Sequence, residues 1–247
     1  MNAYIAEFIG TTLLVLFGNG VVANVVLSRT KGNNGGWIVV TAGWGLAVFI
    51  GAFCSAPFSG AHLNPAVTLA MAISGKLEIA KVAGYMIAQM SGGIAGGTLV
   101  YTYYREHFKV SEDANNKLGC FCTAPDIRNI PQAFFCEVVG TFCLILPIFL
   151  MTDVSLKFAG SAQSAEVGLG TLGLVPVGLL VFGIGLSLGG TTGYAINPAR
   201  DLGPRLAHAF LPIPNKRDSD WSYAWVPVFG PLVGAALAAG LHSLLRA

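Results

Sequence analysis

Charged residues are scarce in this 247-residue sequence: Asp, Glu, Lys and Arg make up 11% of it, whereas 54% of the residues are hydrophobic. Soluble domains carry roughly a quarter charged residues. A soluble fold of this size could not hide so much apolar surface, because much of its exterior must face water. The composition therefore predicts an integral membrane protein that lies in a lipid bilayer.

Several functional signatures are also missing. The net charge is only +2, so nothing indicates a nucleic acid partner. No nucleophile elbow, phosphate-binding loop or zinc-binding helix motif occurs, so we expect neither an enzyme nor a bound cofactor. Cys120 and Cys122 form a C-F-C string without a nearby histidine, so we expect no metal site. Residues 1–28 contain no Lys or Arg, and we expect no cleavable signal peptide.

Long hydrophobic runs are plentiful. A membrane span needs roughly 20 apolar residues, and six stretches qualify as spans, at about 4–27, 37–57, 82–104, 132–151, 173–188 and 223–245. Two further stretches, about 65–74 and 198–210, are too short to cross, and each opens with Asn-Pro, a helix-starting pair. We expect an all-α membrane protein with six transmembrane helices and two half-helices that start at membrane depth. The connection 105–131 is expected to be a solvated loop.

The two halves of the chain carry the same motifs. Glu7 in A-E-F-I-G-T is matched by Glu137 in C-E-V-V-G-T, and the Asn-Pro-Ala at 64–66 is matched by another at 197–199. Two matches in the same order, at nearly equal offsets, indicate internal duplication.

The number of spans per repeat determines the relation of the two halves. Three spans in the first half place the start of the second half on the opposite side of the bilayer. The repeats 1–104 and 132–247, joined by 105–131, are therefore predicted to be inverted within a single channel domain, with the half-helices entering from opposite faces.

The two Asn-Pro-Ala motifs indicate a polar passage at membrane depth. Non-helical backbone is tolerated there only where it is buried or lines a watery cavity. Both half-helices would point the positive end of their dipole at the centre, which opposes cations and protons. The motif residues are Asn64, Pro65, Ala66, Asn197, Pro198 and Ala199. The residues expected to line the passage with carbonyl groups are Gly60, Ala61, His62, Leu63, Gly193, Tyr194 and Ala195.

Glu7 and Glu137 lie inside apolar spans, where a charge is costly and needs a partner. We expect each carboxylate to accept hydrogen bonds from backbone N–H groups of a re-entrant loop. A proton relay would need more ionisable partners than these spans provide.

The strings G-A-H-L-N-P-A-V-T at 60–68 and N-P-A-R-D-L-G-P at 197–204 resemble those of the major intrinsic protein family, the aquaporins and glycerol facilitators. The likeness is greatest to the glycerol facilitators, of which Asp201 directly after Arg200 is typical. It implies that Asp201 supports a loop, that the protein is a homotetramer in the cell membrane, and that both termini are cytoplasmic. It also implies a narrow constriction, or selectivity filter, formed by Trp44, Gly185, Tyr194 and Arg200.

Such a constriction suits a polyol, which has a carbon edge and a hydroxyl edge. Trp44 and Tyr194 can contact the carbons, Arg200 can donate to hydroxyl oxygens, and Gly185 leaves room. We therefore expect a passive channel for glycerol and water, with other small polyols or urea as further solutes. The alternatives are a water-selective channel, an ion-coupled secondary transporter and a non-transporting membrane scaffold.

The distribution of basic residues does not agree with cytoplasmic termini. In that orientation the inner side holds Lys76, Lys81, Lys157 and Arg246. The outer side then holds twice as many, namely Arg29, Lys31, Arg105, Lys109, Lys117, Arg128, Lys216 and Arg217. The positive-inside rule therefore favours the opposite orientation.

Overall fold

The computed structural model describes residues 1–152 and 168–246, together with the backbone of 155–157 and 164–166. These parts contain ten α-helices, one 3-10 helix and one pair of short strands. In chain order they are α1 Ala3–Val26, α2 Trp37–Ser59, α3 Pro65–Ile73, α4 Ile79–Tyr103, α5 Arg105–Val110, α6 Ala114–Gly119, α7 Ile130–Leu150, β1 Ser155–Lys157, β2 Ser164–Glu166, the 3-10 helix Gly170–Leu174, α8 Val175–Leu188, α9 Pro198–Phe210 and α10 Val226–Arg246.

Long helices cover all six predicted spans. By length and composition, α1, α2, α7, α10 and the continuous stretch Gly170–Leu188 can each cross a bilayer. The remaining helix, α4, is 25 residues long but less apolar, and its buried face carries glycines, Tyr85 and Gln89. With α3 and α9 as half-helices, the predicted all-α membrane architecture is confirmed.

The connection between α7 and the 3-10 helix contains the only strands among the described residues. There β1 and β2 pair antiparallel, with Ser155 opposite Glu166. Residues 153–154, 158–163 and 167 of this connection lie outside the described residues, and so does the side chain of Lys157.

The half-helices start where their Asn-Pro signals predict. The Asn64 side chain caps α3 by accepting from the Ala66 N–H at 2.8 Å. The Asn197 side chain caps α9 by accepting from the N–H groups of Ala199 and Arg200 at 3.0 and 3.2 Å. These bonds satisfy backbone donors that a helix start leaves free.

The long helices pack in two similar sets, one from each half of the chain. The half-helix of each half packs against a long helix of the other half. Helix α1 packs against α2 and α4, while α7 packs against α8 and α10. The half-helix α3 packs against α10 of the other half, and α9 packs against α4. Glycines permit the close approach of the helices: a Cβ at Gly92 of α4 would lie 2.6 Å from the Phe8 carbonyl oxygen.

The segment 105–131 is folded, so its prediction as a solvated loop was wrong. It contains α5 and α6, and several of its side chains join Leu27 of α1 and Val100 of α4 in an apolar cluster. The contributing residues are Phe108, Leu118, Cys120, Phe121 and Cys122. Burial raises the pKa of both cysteine thiols, which remain neutral small side chains. Charged residues stand between these apolar residues in the sequence. The composition of the segment therefore did not indicate a core.

Candidate functional site

Two strained backbone segments precede the half-helices. In the first, Ala61 and Leu63 have φ values of 54° and 52°. In the second, Tyr194 and Ile196 have φ values of 38° and 44°. Left-handed backbone is unfavourable for such residues, above all for a β-branched one such as Ile196. Conformations of this kind persist only where surrounding groups fix them, and they concentrate at functional sites.

Glu7 fixes the first segment. Its fully buried carboxylate accepts hydrogen bonds from the backbone N–H groups of His62 at 2.9 Å and Leu63 at 2.6 Å. Ser59 Oγ donates to it at 2.6 Å, and Gln89 Nε2 donates at 2.7 Å. Four donors therefore surround this carboxylate, two of them the backbone N–H groups that were expected to bind it.

Glu137 holds the second segment in the same way. It accepts from the backbone N–H groups of Ala195 and Ile196 at 3.0 and 2.8 Å. Thr192 Oγ1 donates to it at 2.7 Å, as Ser59 does to Glu7. Sequence reasoning missed both hydroxyl residues, although Ser59 and Thr192 each stand directly before a glycine of the repeated motif, which was a usable signal.

The two half-helices meet through reciprocal hydrogen bonds. Asn64 Nδ2 donates to the Ile196 carbonyl at 2.8 Å. Asn197 Nδ2 donates to the Leu63 carbonyl at 2.8 Å. Each motif asparagine thus caps its own helix with its oxygen and binds the opposite loop with its nitrogen. The tips of α3 and α9, with their positive dipole ends, consequently lie side by side.

One cavity borders this junction, and a second cavity shares three wall residues with it, namely Trp44, Tyr194 and Arg200. The cavity at the junction, called the inner cavity for its place within the helix bundle, has a volume of about 170 Å³, and both motif asparagines line it. The second cavity, called the outer cavity, has a volume of about 590 Å³, and residues of segment 105–131 form part of its wall. Every residue predicted to line the passage with its carbonyl borders one of them: Gly60, Ala61, His62, Leu63, Tyr194 and Ala195 the inner cavity, and Gly193 and Tyr194 the outer one.

Arg200 stacks on Trp44 at the shared wall. Its guanidinium carbon lies 4.0 Å from the centre of the Trp44 ring, a cation–π contact. Its Nη2 lies 3.5 Å from the Gly193 carbonyl, and among the described residues it makes no ion pair. The Trp44 ring is itself seated against Gly18, where any side chain would overlap it. A buried positive charge therefore stands at the boundary that the two cavities share.

Tyr194 lies directly over Gly185. A Cβ at Gly185 would approach Tyr194 Cζ to 2.8 Å and Thr41 Cγ2 to 2.8 Å. Gly185 is absent from the described residues that line either cavity. The space that Gly185 leaves is therefore occupied by the Tyr194 ring, which separates this glycine from the passage.

Asp201 anchors the segment 105–131. Its fully buried carboxylate accepts from Thr123 N and Thr123 Oγ1, both at 2.7 Å. Arg205 pairs with it at 2.8 Å and also donates from Nη2 to the Thr123 carbonyl at 2.9 Å. Thr123 in turn packs beside Gly193. Asp201 is thus connected through Thr123 to Gly193, which lies next to Tyr194 of the predicted constriction. Sequence reasoning missed Thr123 and Arg205.

Paired half-helices, strained carbonyl-bearing loops and two cavities that share a boundary of two aromatic rings and one arginine define a membrane channel. The sequence model of the family described as "Major intrinsic protein" matches residues 1–242. The chain belongs to that family, and the resemblance predicted from its motifs is confirmed.

Individual relatives cover nearly the whole chain. A glycerol uptake facilitator protein of Streptococcus pneumoniae is 50% identical over 244 residues, which is 99% of each chain. A probable glycerol uptake facilitator protein of Thermotoga maritima is 50% identical and covers 99% of this chain and 100% of its own length. The X-ray structure of the aquaglyceroporin from Plasmodium falciparum aligns with a TM-score of 0.81 at 33% identity, covering 97% of this chain and 93% of that one.

Proposed function

We propose that the chain is a passive channel through which glycerol, other small polyols and water cross a membrane. The observation that carries the proposal is the two-sided constriction. The rings of Trp44 and Tyr194 supply an apolar side, while Arg200 and the Gly193 carbonyl supply hydrogen-bonding groups. A polyol can therefore exchange its water contacts for contacts on both of its edges. Relatives at 50% identity are named for glycerol uptake, which supports this solute.

The same geometry accounts for exclusion of ions and protons. Arg200 carries a buried charge, and the N-terminal ends of α3 and α9 add positive potential at Asn64 and Asn197. A cation that loses its water shell here meets repulsion. A water-selective channel is the alternative within the family, and the relatives' names favour the polyol channel over it.

The organisation of the molecule forms part of the proposal. Matched bonds of Glu7 and Glu137 support two inverted repeats, 1–104 and 132–247, within one channel domain. Family membership supports a homotetramer in the cell membrane with both termini in the cytoplasm. No step requires a cofactor, and we propose no catalytic role.

Stopped-flow light scattering on proteoliposomes tests the solute. We expect glycerol and water to cross much faster than in empty liposomes. Gly185→His should reduce glycerol permeability about tenfold more than water permeability, because a side chain there pushes Tyr194 into the passage. Glycerol permeability equal to that of empty liposomes, with fast water flux, would refute the polyol channel.

Lactic acid belongs among the solutes tested. A Lactiplantibacillus plantarum protein named D/L-lactic acid transporter is 42% identical over 245 residues, covering 97% of this chain and 95% of its own length. Lactic acid resembles glycerol in size and in having a carbon edge and a hydroxyl edge. Its uptake at acidic pH, where the neutral acid prevails, would extend the solute range.

A further inference from the structure

Trp37 is the first residue of α2 and lies at the outer side of the constriction. Its indole Nε1 donates a hydrogen bond to the Gly185 carbonyl of α8 at 2.9 Å, across 148 residues of sequence. Its ring meets the Tyr194 ring edge-on, with centroids 5.8 Å apart and planes at 79°. Trp37 therefore touches both the glycine and the tyrosine of the predicted constriction.

The Tyr194 ring depends on packing for its position. Its hydroxyl is buried and has no hydrogen-bond partner among the described residues, and its backbone is left-handed. Gly185 of α8 and Gly189, directly after α8, border one side of the ring, since a Cβ at Gly185 would lie 2.8 Å from Tyr194 Cζ and one at Gly189 would overlap Tyr194 Cδ1. Trp37 borders another side and also contacts the Gly189 position, where a Cβ would lie 2.8 Å from Trp37 Cζ2.

Removal of the indole would open a space on the side of the outer cavity, because Trp37 and Tyr194 both line that cavity. No hydrogen bond would then keep the Tyr194 ring in place. A ring that swings outward would widen the boundary that it shares with Trp44 and Arg200.

We propose that Trp37 is a positioning residue, which holds the Tyr194 ring in the constriction and thereby sets the size limit for solutes. The inference rests on the proposed channel function. The competing interpretation is an aromatic residue of the membrane interface, because Trp37 is 42% exposed. An interfacial anchor would affect stability or insertion without changing which solutes pass.

The test compares permeability to erythritol, a four-carbon polyol, with permeability to glycerol in proteoliposomes. For Trp37→Leu we expect the erythritol-to-glycerol ratio to rise about threefold or more, with water permeability changed less than about twofold. Trp221→Leu is the matched control, because Trp221 is 47% exposed and lines neither cavity in the described structure. Its ratio should equal that of the unmodified protein.

A double-mutant cycle with Tyr194→Ala separates positioning from a general structural effect. If Trp37 acts through the tyrosine, Trp37→Leu should leave the ratio unchanged once the Tyr194 ring is gone. An equal rise in the Tyr194→Ala background, or an unchanged ratio in folded Trp37→Leu, would overturn the proposal.

Trp37→Phe provides a second variant if the leucine substitution prevents folding. It keeps a ring beside Tyr194 but lacks the Nε1 donor, so a smaller rise of the same ratio is expected. If neither variant folds while Trp221→Leu does, Trp37 is a stability residue and the proposal fails. Failure of the channel function itself would appear separately, as glycerol permeability of the unmodified protein no higher than that of empty liposomes.

Discussion

At the scale of the residue, the Tyr194 hydroxyl stands out because it is buried without a hydrogen-bond partner among the described residues. It lies near Gly185, since a Cβ there would be 2.9 Å from the oxygen. A buried polar group without a partner costs about 1–3 kcal/mol. We therefore expect the aromatic ring of Tyr194, rather than its hydroxyl, to shape the passage.

Tyr194→Phe should accordingly leave glycerol permeability within about twofold and leave stability equal or higher by about 1 kcal/mol, because it removes an unsatisfied group. The permeability is measured in proteoliposomes and the stability by thermal unfolding in detergent. A marked loss of glycerol permeability would show instead that the hydroxyl contacts the solute.

Sequence reasoning at this scale succeeded where the motif itself carried the information. Asn64, Asn197, Glu7 and Glu137 could be predicted because they recur in both halves. Trp37 could not, because its partner lies 148 residues away and nothing local distinguishes it from an interfacial tryptophan. The position of Gly185 behind the Tyr194 ring likewise depends on how α8 packs against the second loop.

At the scale of the element, segment 105–131 is fastened over the outer cavity by a buried ionic network. Asp201 and Arg205 on α9 together make three hydrogen bonds to Thr123, at 2.7, 2.7 and 2.9 Å. Arg205 Nη1 also donates to the Ser219 carbonyl at 2.7 Å, which joins a third part of the chain. The half-helix α9 thus carries Arg200 of the predicted constriction and also the residues that bind segment 105–131.

Asp201→Asn should destabilise the protein by about 3–5 kcal/mol, because it leaves the buried Arg205 charge without its partner. Thermal unfolding in detergent measures the change. The control is Asp126→Asn, which removes an exposed carboxylate from the same segment and should shift stability by no more than about 0.5 kcal/mol. Equal effects of the two substitutions would contradict a structural role of the network.

The helix bounds were predictable to within a few residues, and α9 begins and ends where its sequence signals place it, at Pro198 and Phe210. Segment 105–131 carries one local signal of that kind, Asp113, which caps the six-residue helix α6. Its apolar residues alternate with charges, and they become a core only through contact with α1 and α4. Long-range packing of this kind leaves no periodic trace in a single sequence.

At the scale of the whole molecule, the candidate pathway lies between the two halves of the chain. Residues of both halves line each cavity, and the two asparagines meet between them. Each subunit of the proposed homotetramer would therefore conduct independently.

Mixed assemblies test that independence. We expect glycerol permeability to fall in direct proportion as unmodified subunits are replaced by subunits blocked with Gly185→Trp, because a blocked passage leaves its neighbours unchanged. Affinity tags on each form verify that the two forms assemble together. A much steeper decline would show that the subunits share a passage or depend on one another.

The crossed asparagine bonds also bear on biosynthesis. Each joins groups more than 130 residues apart, since Asn64 is bound to Ile196 and Asn197 to Leu63. While the chain is being translated, the Leu63 carbonyl and the Asn64 amide lack these partners until residues 196 and 197, a little past the middle of the second repeat, have been inserted. A nascent chain that stops before residue 196 can place its first three spans in the bilayer, but its first loop still lacks both hydrogen bonds to the second half.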